Sequence, residues 1–249
     1  MKMSISTRIY VGLVIALAAL AAANVLLPWG SFIPSLPQQE LPASKPVLAV
    51  VSAAIVLVLY GSLGYLGLRL SPRLGFADLW DSSLSNRQRF LIPTVVGVGL
   101  GIFFIIADTA FRHASSLDPL PHPPFPTSLV ASASAGIGEE IVFRLFFIPF
   151  GVWLVSHVVL RRRWRTQVFW AVSVLSALAF AAAHIPSMMI ILGFEAISEI
   201  PAGLMAEIVL LNGVLSLFAA YYLRKSGFLA PVGIHFGTDI VWHVIWGLS

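Results

Sequence analysis

The 249-residue sequence contains no cysteine and few charged residues, and both shortages narrow the class of protein. Without cysteine there is no disulfide, no thiolate metal site and no cysteine nucleophile. Charged residues make up only 10% of the chain and hydrophobic residues 58%, whereas soluble domains carry about 25% charged residues. A soluble fold would have too few polar side chains to cover its surface, so the composition predicts a membrane protein.

Seven stretches are apolar enough to cross a bilayer, which requires about 20 residues each. They cover roughly residues 9–27, 46–68, 90–111, 128–158, 167–184, 202–223 and 228–248. Residues 185–201 are also apolar, but Pro186, Gly193 and two glutamates interrupt them, which indicates a short helix or a re-entrant piece. The expected fold is therefore all-α, a polytopic membrane helical bundle of about seven transmembrane helices, forming a single integral membrane domain over residues 1–249.

The basic residues predict the orientation of this bundle. If the seven spans alternate in direction, twelve lysines and arginines fall on one side, and only Lys45 and Arg112 fall on the other. Because loops rich in lysine and arginine stay in the cytoplasm, the N-terminus is expected there. The net charge of +4 thus reflects membrane orientation and does not indicate nucleic-acid binding. We expect an integral protein of a prokaryotic cytoplasmic membrane, surrounded by membrane lipids; the sequence leaves its oligomeric state open.

Several ionisable residues lie inside the predicted spans, where each charge costs at least about 2.5 to 3.5 kcal/mol at the bilayer centre. They are Glu139, Glu140 and Arg144 in the fourth span, His184 in the fifth, Glu207 in the sixth, and His235, Asp239 and His243 in the seventh. Glu140 and Arg144 are four residues apart and are expected to form a buried ion pair, which leaves Glu139 free to face something else. For Glu207 and His243 we expect a structural role.

A carboxylate and two histidines inside one bundle are suited to activating a water molecule. The chain has no cysteine and no Gly-x-Ser-x-Gly motif, so nucleophilic catalysis by a side chain has no local support. A carboxylate and an imidazole that share one water can generate a nucleophile for attack on an amide carbonyl. His235 could donate a hydrogen bond to the resulting oxyanion, and Asp239 could orient His235 or, when protonated, donate as well.

Two other classes of function use the same residues. A zinc peptidase would take its ligands from His184, His235, Asp239 and His243, with Glu139 as the base. Alternatively, the bundle is a non-catalytic immunity or scaffold protein, or a carrier that relays protons through its buried acids.

Three short motifs on successive spans resemble the signatures of a known family of intramembrane endopeptidases. They are Glu-Glu-x-x-x-Arg at residues 139–144, Phe-x-x-x-His at 180–184 and His-x-x-x-Asp at 235–239. The family is the CAAX protease and bacteriocin-processing (CPBP, or abortive-infection) family, which includes the type II CAAX prenyl proteases. Prenyl proteases of this family commonly have asparagine where this chain has Asp239.

The resemblance implies a glutamate-dependent peptidase that uses no metal and no other cofactor. By this resemblance, Glu139 and His184 activate the water, while His235 and Asp239 bind the oxyanion. Glu140, Arg144 and Phe180 brace the site. The substrate is expected to be a membrane-bound peptide or protein, with or without a lipid anchor. The catalytic helices are expected within residues 126–249, and the spans in residues 1–125 show no recognised motif.

The depths of these residues in upright helices do not match. At about 1.5 Å per residue, Glu139 lies roughly 31 Å, His184 roughly 25 Å and His235 roughly 12 Å from the predicted cytoplasmic ends. Their convergence therefore requires that the fourth helix projects into the cytoplasm, that the helices tilt, or that the predicted boundaries are wrong.

Overall fold

The computed structural model describes residues 3–32, 42–115 and 119–248, and the regular structure in these ranges is entirely helical. Six helices are long and apolar enough to span a membrane: α1 (Ile5–Leu26), α2 (Lys45–Leu74), α3 (Arg87–Ala114), α4 (Thr127–Val159), α5 (Arg165–Leu192) and α6 (Ala202–Ser226). A seventh helix, α7 (Leu229–Asp239), continues as a π-helical segment (Ile240–Ile245) and a 3-10 turn (Trp246–Leu248). The predicted polytopic all-α bundle is confirmed, although its seventh helix is shorter than the other six.

The outer surface of the bundle is strongly apolar. Val50 and Val58 on α2, and Val95 and Ile106 on α3, expose between 61% and 71% of their surface. Such a surface is costly in water and matches the hydrocarbon interior of a bilayer. The protein is therefore an integral membrane protein.

Consecutive helices run in alternating directions. Near the start of α1, Ser6 donates a hydrogen bond to Asp78, which follows α2. Arg224 at the end of α6 donates to Thr166 at the start of α5, and Thr127 at the start of α4 donates to the carbonyl of Pro28 beyond α1. We call the end of the bundle where α1, α3 and α5 begin the basic face, since most of the arginines lie there, and the other end the opposite face.

Helix α5 extends beyond the predicted end of the fifth span. It continues through Pro186 and ends at Leu192, where Gly193 adopts a left-handed conformation with φ of +76°. Proline removes only one backbone donor, so the helix can continue past it within a membrane bundle. The boundary predicted at residue 184 is therefore wrong. The remainder of the predicted short segment contains only a 3-10 turn, Ile197–Glu199, in the connection to α6.

Helix α7 begins inside the protein and not at its surface. Phe228 and Leu229, at its first turn, are only 1% and 8% exposed. A side chain at the preceding Gly227, which has a φ of +77°, would collide with the backbone carbonyl of Asp78. The segment after α2 thus covers the start of α7. Because protein covers the start of α7, a count that places this start at the end of the bundle underestimates how deep His235 lies in the protein.

Glycines allow α3 and α7 to pack backbone against backbone. A Cβ added at Gly97 would lie 2.9 Å from the carbonyl carbon of Ile234 and closer still to its oxygen, and one at Gly101 would lie 2.5 Å from Val241. Gly97 and Gly101 form the Gly-x-x-x-Gly pattern that favours close helix contact in membranes. Thr238 on α7 also donates to the carbonyl of Gly97 at 3.1 Å. The third span, which showed no motif, therefore fixes the helix that carries His235 and Asp239.

Candidate active site

A fully buried ion pair joins two turns of α4 and extends to α7. Oε2 of Glu140 lies 3.2 Å from Nε of Arg144, and both side chains are completely inaccessible to solvent. The other oxygen of Glu140 accepts a hydrogen bond from Nδ1 of His235 at 2.8 Å. The geometry of the expected Glu140 and Arg144 pair is therefore present. The link from Glu140 to His235 was not expected, because sequence spacing relates residues within one helix and not between two.

Glu139 points away from this pair towards two histidines on other helices. Its Oε2 lies 3.8 Å from Nε2 of His184 on α5 and 3.8 Å from Nε2 of His235 on α7. Both distances are too long for a direct hydrogen bond and are short enough for one bridging water. The side chains of Glu139 and His184 are 35% and 33% exposed, whereas that of His235 is 4% exposed. The site thus has one accessible side and one enclosed side.

Phe180 contacts residues on both the accessible and the enclosed side of the site. Its backbone carbonyl accepts a hydrogen bond from Nδ1 of His184 at 2.8 Å, one turn further along α5. Its ring lies 4.2 Å from the guanidinium carbon of Arg144 and contacts the rings of both His184 and His235. A carbonyl can only accept, so Nδ1 of His184 carries the hydrogen and the lone pair of the neutral ring lies on Nε2. Nε2 is the atom that faces Glu139.

Asp239 lies one turn beyond His235 on α7. Its Oδ2 is 3.6 Å from Nε2 of His235, so the ring lies among three carboxyl groups, those of Glu139, Glu140 and Asp239. The structure therefore brings together all seven residues named in the three motifs.

A cavity of about 280 Å³ contains the accessible side of the site. Its polar members include Glu139, His184, His235 and Asp239, while most of the remaining surface is apolar. The other lining residues include Ala131, Ser132, Ala135, Ser187, Met188, Ile191, Glu207, Ile208, Leu211, Asn212, Trp242 and His243. An apolar pocket with a few converging polar groups is the usual form of a substrate site.

Glu207 has a partner that the sequence did not reveal. Its carboxyl group interacts electrostatically with that of Asp108 on α3, and Oδ2 of Asp108 lies 3.0 Å from Nε of Arg112. Asp108 was missed although a signal existed, since it lies inside an apolar span four residues before an arginine. Glu207 lines the cavity and is not among the groups within 4 Å of Glu139.

His243 and His122 form a second imidazole pair near the opposite face. Their Nδ1 atoms lie 3.3 Å apart, and the ring of His122 packs edge-on against Trp242 at 4.9 Å. His122 belongs to the connection between α3 and α4, where burial and then the positive charge of Arg112 lower its pKa from 6.5 to about 4. His122 is therefore neutral near pH 7, and the structural role expected for His243 stays a prediction.

A larger groove, of about 900 Å³, lies on the basic face. It is lined by Arg73, Arg162, Arg165, Trp153 and Trp164, among others, and none of the motif residues contributes to it. Its size does not make it the candidate active site, because it lacks the carboxylates that the chemistry needs.

The described residues contain no group of three or more His, Asp or Glu side chains placed to hold a metal ion. The zinc hypothesis therefore has no preformed ligand set in this part of the chain.

These features define an integral membrane protein with an acid and imidazole site enclosed in a helical bundle. A family model described as type II CAAX prenyl endopeptidase Rce1-like matches residues 121–241, a segment that includes all three motifs. Residues 121–241 thus carry an Rce1-like domain, which confirms the resemblance seen in the sequence and supports a CAAX-type membrane protease at the level of the family. No curated protein and no solved structure matches the chain.

Proposed function

We propose that the protein is an intramembrane glutamic endopeptidase that hydrolyses a peptide bond in a membrane-bound peptide or protein. The observation that carries this proposal is the position of Oε2 of Glu139, 3.8 Å from Nε2 of His184 and 3.8 Å from Nε2 of His235. One water held among these three atoms would contact two bases, Glu139 and His184, and would face the cavity through which a substrate enters.

Glu139 and His184 are proposed as the groups that activate this water. The lone pair of His184 points to the water site because Phe180 holds the hydrogen on Nδ1. As the water oxygen bonds to the carbonyl carbon, its proton passes to Glu139 or His184, and the carbonyl oxygen becomes an oxyanion. The carbon–nitrogen bond then breaks, and the departing nitrogen takes up the proton.

His235 and Asp239 are proposed to stabilise the oxyanion. Nδ1–H of His235 is occupied by Glu140, so the ring can donate from Nε2 only as an imidazolium. The carboxylates of Glu139, Glu140 and Asp239 surround the ring and supply the opposite charge that favours this form. Asp239 orients the ring, and it donates to the oxyanion only when it carries a proton itself.

Glu140, Arg144 and Phe180 are proposed as positioning residues. Glu140 fixes the orientation of His235 through the 2.8 Å hydrogen bond, and Arg144 balances the charge of Glu140. The ring of Phe180 lies against the guanidinium at 4.2 Å, where a cation and an aromatic face attract one another.

The decisive experiment replaces Glu139 by Gln in purified protein reconstituted into liposomes. The amide cannot accept the proton of the water, so peptide cleavage should be lost. Because the side chain of Glu139 is one-third exposed, the free energy of unfolding of the Glu139→Gln variant should stay within about 0.5 kcal/mol of the wild type. Glu195→Gln, an exposed glutamate on the α5–α6 connection, is the matched control and should retain full activity. His184→Ala should abolish cleavage as well.

The substrate is sought in the same preparation. Liposomes that contain membrane extract and the wild-type protein should accumulate peptide fragments, detected by mass spectrometry, that are absent with Glu139→Gln. Retained turnover in Glu139→Gln would refute the assignment of the base. A phenotype that survives this change at equal expression would instead favour a binding role without catalysis.

The proposed mechanism uses no metal and no other cofactor. Activity should therefore persist in a chelator and be unaffected by added zinc. Inhibition by a chelator that zinc reverses, together with about one bound zinc per chain, would favour the zinc mechanism.

We also propose that the N-terminus lies in the cytoplasm of a prokaryotic cell, because arginines concentrate on the basic face. The proposed partners are membrane lipids and the peptide substrate, and no nucleic acid. A topology reporter fused to the N-terminus tests this orientation directly.

A further inference from the structure

The cavity around the candidate site lies in the half of the bundle that adjoins the opposite face. Ser132 is near the start of α4 and Glu207 near the start of α6, and both of these helices begin at that face. Ser187 and Ile191 lie in the last turns of α5, which ends there. Pro123, in the connection between α3 and α4, completes this side of the lining. The cavity therefore extends from Glu139 towards the opposite face.

The space between the site and the basic face is filled with packed side chains. Leu74, Phe76, Phe169 and Phe228 are each no more than 5% exposed and belong to one continuous hydrophobic cluster. The buried start of α7 and the segment that covers it lie in the same region. In the described part of the chain, this half of the bundle is closed to a peptide.

The exposure of the site residues agrees with access from one side only. About one-third of the side-chain surface of Glu139 and of His184 is exposed, whereas the side chains of Glu140 and Arg144 are fully buried. The water that the reaction consumes and the substrate that it cleaves must both come through the cavity. The side on which the cavity opens therefore determines which peptides can be substrates.

We infer that the site receives its substrate from the extracytoplasmic side of the membrane. The substrate is then a peptide segment exposed at the outer leaflet, such as an exported peptide or the outward end of a membrane-anchored one. This inference rests on the proposed peptidase function and on the orientation set by the arginines. A lipidated C-terminus that remains in the cytoplasm would meet the closed, basic face.

The absence of cysteine in the chain makes the test direct, because a single introduced cysteine is the only thiol. Ser187→Cys places the thiol at an exposed position in the cavity, and Gln167→Cys places it at an exposed position on the basic face. Each variant is treated with a membrane-impermeant maleimide in spheroplasts and in inverted membrane vesicles. Ser187→Cys should be labelled in spheroplasts and lose labelling in inverted vesicles, and Gln167→Cys should show the reverse.

Three outcomes would overturn the inference: labelling of Ser187→Cys only in inverted vesicles, equal labelling from both sides, or labelling in detergent alone. If this variant does not accumulate, Asn212→Cys on α6, which also lines the cavity, replaces it under the same criteria. The labelling does not require catalysis. If Ser187→Cys is not labelled from outside while peptide cleavage still depends on Glu139, the inferred side of access is refuted and the peptidase proposal stands. Outward labelling without any peptide cleavage in detergent would refute the peptidase proposal alone.

Discussion

Replacing Gly97 by alanine should disturb the candidate site although residue 97 does not touch it. The added Cβ would lie 2.9 Å from the carbonyl carbon of Ile234, and contacts below 3.4 Å force a neighbour to yield, so α3 and α7 must separate by at least about 0.5 Å. The obstacle is backbone and cannot rotate away. Overpacking of this kind costs about 1 to 3 kcal/mol.

The displacement should reach the catalytic groups because Ile234 directly precedes His235. Misplacing a reacting group by about 1 Å costs on the order of 10²-fold in rate, so Gly97→Ala should lower kcat by about tenfold or more. Its thermal unfolding temperature in detergent should fall as well.

Gly99→Ala is the matched control on the same helix. A Cβ at Gly99 meets nothing within 4 Å, and alanine favours a helix over glycine by up to about 1 kcal/mol. Gly99→Ala should therefore keep its activity and unfold at the same or a higher temperature. Equal stability and equal kcat in the two variants would refute the argument that the α3–α7 contact positions the site.

Three further predictions concern buried charge. Glu140→Gln should lower stability by about 3 to 5 kcal/mol, because it leaves the fully buried Arg144 without its counter-charge; unchanged thermal unfolding would contradict this. The pKa of His122 is lowered to about 4, so the unfolded state binds more protons and stability should fall as the pH drops from about 6.5 towards 4. When thermal unfolding is recorded across this range, the dependence of stability on pH should be weaker in His122→Asn. An unchanged dependence would exclude His122 as its cause. Arg89→Lys should lower the free energy of unfolding by about 1 to 3 kcal/mol, measured by thermal unfolding. Lysine cannot both stack on Trp80, as Arg89 does at 3.9 Å, and donate to the two backbone carbonyls that Arg89 contacts. A smaller loss of stability than in Arg87→Lys, at an exposed position, would show that the stacking contributes nothing.

Much of the helical framework was predictable because long apolar runs have few structures available in a bilayer. The first four predicted spans and the sixth lie within a few residues of the helices in the structure. The predicted end of the fifth span is too early because the helix continues past Pro186 through the apolar residues that follow it. The seventh was predicted as a full span because hydropathy does not show that its start is covered by the segment after α2.

The site was predictable in its members and not in its contacts. Four-residue spacing indicated the pair of Glu140 and Arg144, since both lie on one helix. The bond between Glu140 and His235 depends on how α4 packs against α7, and no local pattern encodes it. The same is true of Glu207, which interacts electrostatically with Asp108 on α3. Contacts between helices depend on packing, which periodicity within one helix cannot report.

The buried start of α7 bears on how the protein is made. This helix carries His235, Asp239 and His243 and is shorter than the others, so the translocon would accept it poorly as an independent insert. The short connection at Gly227 ties it to α6, and its histidine and aspartate lose their hydration as the helix docks beside Glu140. Helix α7 thus completes the site, and nascent chains that end before residue 229 would be inactive.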